Sequence, residues 1–489
     1  MKILLVYPGA TVREVPLNLL YISSSLKKAG FDTRVFDLTP FNKPKLFSDT
    51  TNRIQREFRK TLAEYKPDIV GFSLMTINYR ISMSLAHIAK GLGTKVVCGG
   101  IHPTIAPEET IQEKDVDYIC IGEAEESIVE LVTCIRNKTD YTKVKGTWVK
   151  VDDQVFKNPL RELEEDLDSI PWPDREAFPD SYYQDELIGA NILGSRGCPY
   201  PCSFCQNKFL TNLYKDKGKF IRYRSLENIF AEIDDLIKRY GIKKIYFSDE
   251  TFTMNKKRVL EFCQAYKARF TLPFMCQTRI DTLDEEIVSA LKDAGCFHVS
   301  LAIESGNEDI RMGLLKKPIS NEQIRNAFML AKKYGLRTQS FNMIGLPGEK
   351  LQYILETIEI NKQLQPDRIL CSIFMPFKGT ELGEWCFAHQ IVKFNPKKNN
   401  NYYNVISISY NDISPKAILG YQGFFDWYVR LPKKYCKAID LLRFIYQSLL
   451  TTQSPRNRVL LFFRTWLIEA VYQCKRFLPV SSEYQITKR

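Results

Sequence analysis

The sequence predicts an α/β chain with three parts in order: a doubly wound parallel sheet, a partial TIM-type (β/α)6 barrel and a mainly helical C-terminal region. Three observations predict it. Short apolar runs alternate with amphipathic stretches from residue 2 to about residue 375, the pattern of repeated βα units. That alternation breaks once, at the acidic run RELEEDLDSI and the proline-rich PWPDREAFP, which read as a boundary. After residue 385 the pattern becomes helical, aromatic and basic. The expected domains are 1–140, a linker 141–190, a core 191–385 and a C-terminal region 386–489.

Composition sets bounds on these parts. A chain of 489 residues with 44% apolar and 26% charged side chains is ordinary for globular domains. Its 13 cysteines are mostly scattered singly, which implies a reducing compartment and no disulfide framework. The N-terminus runs directly into a strand without the apolar core of a signal peptide, and no apolar run reaches the ~18 residues of a membrane span. The expectation is a cytoplasmic protein. Residues 386–489 carry 16 Lys or Arg against 5 Asp or Glu, leaving 53 against 52 elsewhere, so almost all of the net +12 lies in this tail.

In the first part, KILLVY (2–7) reads as a buried strand, and PLNLLYISSSLKKAG (16–30) as a helix starting at Pro16 and ending at Gly30. Further strands are expected at 33–36, 68–72, 95–98 and 117–121. Open parallel sheets bind ligands at the carboxyl ends of their strands. Those ends carry Pro8 and Gly9, Ser73 to Asn78, Gly99, Gly100 and His102, and Gly122 and Glu123. Glycines there let backbone approach a large flat ligand. Against this, glycines recur in any such sheet, and His102 in GGIHPT reads equally well as a hydrogen-bonding turn residue. In the linker, GTWVKVDDQVFKNP reads as a hairpin turning at Asp152 and Asp153.

The core opens on GSRGCPYPCSFCQN (194–207), with Cys198, Cys202 and Cys205 spaced C-x3-C-x2-C. Pro199 and Pro201 exclude a regular helix, so the segment is a loop expected to curl its thiols about a common point. Structural zinc usually takes four ligands in two separated pairs. A 4Fe–4S cluster usually takes four thiolates, so three leave one iron open. A zinc knuckle completed by a distant ligand is the alternative. Beyond the loop, SLENIFAEIDDLIKRYG reads as a helix capped by Ser225 and closed by Gly241. Strands KKIYFSD, PFMCQTR, FHVSLAIES, RTQSFNMIG and RILCSIFM follow, and a barrel of this type holds its site at the strand ends.

The cysteine loop, with Phe204 before its last Cys, resembles the radical S-adenosylmethionine (SAM) enzymes. The resemblance implies that Cys198, Cys202 and Cys205 hold a 4Fe–4S cluster whose open iron chelates SAM, with Phe204 beside the adenine. One electron then cleaves SAM to a 5′-deoxyadenosyl radical. It further implies that Asp249 and Glu250, in an SDE phrase where the family usually has GGE, meet the SAM ammonium. Arg279 would pair with the SAM carboxylate or a substrate anion. Glu304 and Ser305 would hold the ribose, and Gly345 would lie in an adenine-contacting turn within NMIGLPGE. The strand ends of residues 1–140 resemble the cobalamin-binding domain that precedes the core in one branch of this family. That implies cobalamin held by Pro8, Ser73, Gly99, Gly100, His102, Gly122 and Glu123. The motif D-x-H-x-x-G, which supplies a lower cobalt ligand in some carriers, is replaced here by PGATVREVP, with no histidine.

The C-terminal region has two readings: a helical cap whose apolar faces pack on the barrel, or a basic surface for peripheral contact with anionic lipid. Its basic, aromatic character resembles relatives that act on lipids such as hopanoids. No nucleic-acid-binding module is present in the pattern, so no such partner is expected. The expected activity is methylation of an unactivated carbon in a lipid-like or other small-molecule substrate, with an external one-electron donor. The alternatives are radical ring contraction or oxidative cyclisation, and a non-catalytic iron–sulfur or cobalamin sensor.

Overall fold

The computed structural model describes residues 1–9, 15–41, 50–184, 189–397 and 406–450. The chain divides into two compact units. The first holds Met1–Pro199, Gln206–Glu250 and residues 395–397; the second holds Tyr200–Cys205, Thr251–Phe394 and residues 406–450.

The first unit contains a seven-stranded sheet: β1 (Lys2–Tyr7), β2 (Asp32–Asp37), β3 (Ile69–Ser73), β4 (Lys95–Gly99), β5 (Tyr118–Cys120), β6 (Thr147–Val151) and β7 (Gln154–Lys157), in the order β2-β1-β3-β4-β5-β6-β7. The first five strands run parallel. Every residue of β1 after Lys2 is buried, as a parallel strand covered on both faces requires. The helix Leu17–Lys28 begins after Pro16 and ends before Gly30, whose φ is +80°. The hairpin read as part of the linker turns at Asp152 and Asp153, both left-handed (φ +46° and +64°), the mark of a type I′ turn. It pairs antiparallel with β5 and so extends the first sheet. Phe58, Leu85, Val96 and Ile119 lie in the core of this sheet and its helices.

The same unit carries β8 (Ala190–Ile192), an antiparallel ribbon of β9 (Ser195–Arg196) and β10 (Arg222–Tyr223), and β11 (Ile245–Phe247), which pairs parallel with β8. The helix Leu226–Tyr240 starts where Ser225 Oγ accepts the Asn228 N–H at 3.1 Å and stops at left-handed Gly241, as its sequence signals indicate.

The second unit carries β12 (Phe274–Thr278), β13 (Cys296–Glu304), β14 (Arg337–Ile344) and β15 (Arg368–Ile373), parallel and neighbouring in chain order. Six strands, β8 and β11 to β15, are each followed by a helix, the alternation of a partial (β/α)6 barrel. The helix Pro415–Arg430, capped by Ser414, buries Ile418, Tyr421, Phe424 and Phe425 with Ile354, Ile358 and Ile373. Over these residues the C-terminal region is a cap on the barrel. The apolar run 459–479 lies outside the described residues. Among those described, no helix is long and apolar enough to cross a membrane.

Candidate active site

In the first unit the carboxyl ends of β3, β4 and β5 surround a cavity of about 380 Å³. Ser73, Gly99, Gly100, Gly122 and Glu123 line it, as the sequence suggests, and Glu250 also reaches its wall. The glycines have a physical cause inside the protein. Gly100 sits at φ +98°, and a Cβ on it would stand 2.9 Å from the Leu74 carbonyl oxygen. At Gly122, φ +75°, a Cβ would meet the Tyr214 hydroxyl at 1.8 Å. Side-chain-free backbone thus lets the wall close on itself and leaves an open, mostly apolar hollow, which suits a broad, flat cofactor. Cobalamin fits this lining.

Two residues assigned to cobalamin lie elsewhere. Pro8 is buried and does not line the cavity. His102 is also buried off the cavity; its ring stacks edge-on to Tyr79 at 4.7 Å, and Nδ1 lies 3.0 Å from the Thr76 hydroxyl. The turn reading of GGIHPT describes its surroundings better than a cofactor role. Sequence reasoning passed over Asn18, Arg196 and Tyr214, all in the cavity wall. Asn18 donates to Ser73 Oγ at 3.2 Å, and the Tyr214 hydroxyl accepts the Glu123 N–H at 2.6 Å. Arg196 carried a usable signal, a cation set among glycines two residues before the first motif cysteine; Tyr214 carried none.

Glu123 is held by charge. Its carboxylate accepts from Arg196 Nη1 at 2.7 Å and from Arg222 Nη1 at 3.1 Å. Burial alone would raise its pKa, but the two guanidinium groups outweigh burial and hold it below the ordinary carboxylate range. Asp249 is likewise occupied: its carboxylate accepts the Gly194 N–H at 3.1 Å and the Ser195 hydroxyl. It pins the segment that leads into the cysteine loop.

In the second unit the strand ends carry clamped polar side chains. Arg279, after β12, donates to both oxygens of Asp281 at 2.9 and 2.8 Å, lies 3.6 Å from the Tyr200 ring centroid, and points Nη1 at Cys202 Sγ, 3.5 Å away. Phe204 packs with Leu315, Met343 and Leu346. Glu304 ends β13 at a register shift with φ +69°, a left-handed conformation that a non-glycine residue holds only when its surroundings enforce it. The enforcing group is buried Lys317, whose Nζ donates to the Ala302 carbonyl at 2.6 Å and lies 3.3 Å from the Glu304 carboxylate. The next turn is clamped by fully buried Arg311, which donates to the Ser305 carbonyl and, at 2.6 Å, to that of Ile319. At the end of β14, left-handed Gly345 and Leu346 donate their N–H groups to buried Glu349, and Tyr410 donates to the Gly345 carbonyl at 2.8 Å. Burial pushes the Glu349 carboxyl up to about 8.

Cys198 and Cys202 are buried and Cys205 is half-buried, and none is in a disulfide. Among the described residues, no three His, Cys, Asp or Glu side chains form a ready-made metal site. The donor chemistry fits an iron–sulfur cluster: thiols outside any disulfide on a proline-stiffened loop, one already facing a buried N–H donor of the kind that tunes cluster sulfurs.

Comparison with known proteins bears on both halves. Residues 192–360 match the family model of the radical SAM superfamily, and residues 10–132 that of the B12 binding domain. An uncharacterized methyltransferase of Pyrococcus horikoshii is 31% identical over 453 residues, covering 90% of this chain and 95% of its own. The anaerobic magnesium-protoporphyrin IX monomethyl ester cyclase of Rubrivivax gelatinosus is 27% identical over 419 residues, covering 81% of this chain and 72% of its own. The structure of the radical S-adenosylmethionine methyltransferase TsrM of Kitasatospora setae, with cobalamin and a 4Fe–4S cluster bound, aligns with a TM-score of 0.66 at 16% identity, over 97% of this chain and 99% of its own. At that identity the shared property is the fold.

Proposed function

Because the chain belongs to the radical SAM superfamily, in the branch that carries a B12 binding domain, we propose that it methylates an unactivated carbon of a small-molecule substrate, a lipid or natural-product intermediate. It is an enzyme of 4Fe–4S cluster, SAM and cobalamin. The observation that carries the methylation reading is the presence in one chain of the C-x3-C-x2-C loop and the glycine-walled cavity, together with a methyltransferase relative matched along 95% of its length. When bound, these cofactors supply a one-electron reductant, a hydrogen-abstracting radical and a transferable methyl group.

The chain's own residues hold and orient. Cys198, Cys202 and Cys205 ligate the cluster, and Arg279 directs one N–H at the Cys202 sulfur. Asp249 fixes Gly194 and Ser195, the approach to the loop. Glu250 and Arg279 offer opposite charges to the amino and carboxylate ends of SAM, Glu304 and Ser305 its ribose contacts, and Phe204 with the Gly345 turn its adenine contacts. Ser73, Gly99, Gly100, Gly122 and Glu123 form the cobalamin wall. An external donor supplies the electron, and the working place is the cytoplasm.

The test is anaerobic. The chain is reconstituted with iron, sulfide and hydroxocobalamin, desalted, and given SAM and a strong reductant. The methylation reading expects both 5′-deoxyadenosine and S-adenosylhomocysteine. 5′-Deoxyadenosine alone would replace it with cyclisation or rearrangement, the chemistry class of the Rubrivivax relative. A protein that holds its cluster yet never cleaves SAM would overturn the catalytic reading in favour of a sensor.

A further inference from the structure

Arg196 and Arg222 stand directly opposite each other across the β9–β10 ribbon. Like charges in that relation destabilise a ribbon. Here both side chains are also largely buried, 14% and 2% exposed. Glu123 resolves the conflict by accepting from both. A second nitrogen of Arg196, Nη2, donates to Glu125 at 2.7 Å. Both carboxylates lie in the segment that follows β5 along the cavity wall.

The other end of this arrangement is the cysteine loop. Cys198 is two residues beyond Arg196. Gly197, between them, has φ +90°, and a Cβ there would come within 2.4 Å of the Phe220 carbonyl oxygen. The backbone from Arg196 to Cys198 is therefore short and packed against Phe220 closely enough to exclude a side chain at Gly197. One guanidinium ties the wall of the cobalamin cavity to the first cluster ligand.

We propose that Arg196 is a positioning residue that couples cobalamin binding to cluster assembly. A cofactor against the Glu123 segment fixes the two carboxylates, these fix Arg196, and Arg196 fixes the backbone that presents Cys198; an assembled cluster acts back along the same path. Such coupling is reciprocal by linkage. The inference rests on the assignment of cobalamin to this cavity.

The experiment measures cobalamin affinity of the full chain by anaerobic absorbance titration, with the cluster reconstituted and without it. The wild-type chain should bind cobalamin at least about 5-fold more tightly with the cluster present. In Arg196→Lys the ratio should fall to near one while both cofactors still bind, because an ammonium keeps the charge but replaces the two rigid prongs that reach Glu123 and Glu125 separately with one nitrogen on a flexible stem. The EPR spectrum of the reduced cluster should change on cobalamin addition in the wild type and not in Arg196→Lys. If Arg196→Lys does not fold, Glu125→Gln, which removes only the outer partner, decides: its ratio should fall below the wild-type value. A wild-type ratio of one, or a wild-type ratio retained in the variants, overturns the coupling. A wild-type chain that takes up no cobalamin at all overturns the cavity assignment, and the coupling with it.

Discussion

In the first unit the cavity wall is made by leaving side chains out. Gly99, Gly100 and Gly122 bring bare backbone to the surface of a hollow, and Arg196 and Arg222 gather around Glu123 beside it. In the second unit the strand ends are made by tying side chains down: Arg279 to Asp281, Lys317 to Glu304, Arg311 to the Ser305 turn, Glu349 to two backbone N–H groups. The difference follows from what each must hold. A broad, flat cofactor needs room and shape, whereas a small zwitterion with a nucleoside needs charges fixed in place before it arrives.

The largest effect distinguishes the two regions. Cys202→Ala should abolish the cluster and SAM cleavage, read by iron content and 5′-deoxyadenosine, while cobalamin uptake through the other unit persists at the weaker affinity of the cluster-free chain. Loss of cobalamin along with the cluster would mean that the regions are not separable in this way.

Glycine variants test each region on its own terms. Gly122→Ala sets a Cβ 1.8 Å from the Tyr214 hydroxyl at a left-handed backbone position, and should cost about 1–3 kcal/mol and most cobalamin retention. Gly306→Ala sets a Cβ 2.4 Å from the Glu356 carbonyl oxygen, beside the Glu304–Ser305 turn, and should cost a similar amount while weakening SAM binding instead. Calorimetry with the two binding assays checks both; a swap of the two binding defects would refute the division of labour.

A smaller effect sharpens the clamped side. Arg279→Lys keeps the charge but loses the two-pronged pair with Asp281 and the N–H aimed at Cys202. The cluster should still form, its midpoint potential should move, and turnover should fall about 10-fold. An unchanged potential would remove Arg279 from the cluster's environment.

How much of this the sequence revealed divides along the same line. The strand ends, the glycines of the cavity and the cysteine loop were legible because they are local: a few adjacent residues state the turn, the missing Cβ or the thiol spacing. The helix over Leu226–Tyr240 was legible at both ends for the same reason, through Ser225 and Gly241. What the sequence hid is the pairing of charges far apart in the chain. Glu123 read as a cofactor contact, but two arginines 73 and 99 residues away claim its carboxylate. Asp249 read as a SAM contact, and its carboxylate turns back on Gly194 and Ser195. His102 followed two glycines at a strand end and still went inward, because Tyr79 and Thr76 offered a ring face and a hydroxyl that no local pattern announces.

The smallest expected effect contrasts a half-buried carboxyl of the first region, Glu123, with a buried one of the second, Glu349. Burial alone would raise both Glu123 and Glu349. At Glu123 two guanidinium groups reverse the sign, whereas among the described residues Glu349 has only the N–H groups of Gly345 and Leu346 and stays raised, at about 8 against an ordinary 4.5. Between those values the folded chain keeps a proton on Glu349 that the unfolded chain has released. Stability from this group is therefore full below about 4.5 and is lost as pH rises towards 8. Glu123 works the other way: its contribution is present at neutral pH and is lost on acidification below the ordinary carboxylate range. Glu349→Gln keeps an acceptor oxygen for both N–H groups and removes the titration. From pH 6 to pH 8 the wild-type chain should lose about 1–2 kcal/mol more stability than Glu349→Gln, measured by denaturant unfolding, and Glu123→Gln should leave that alkaline limb unchanged. Parallel wild-type and Glu349→Gln curves would show that this carboxyl is already ionised at neutral pH, held by the two N–H groups of the turn.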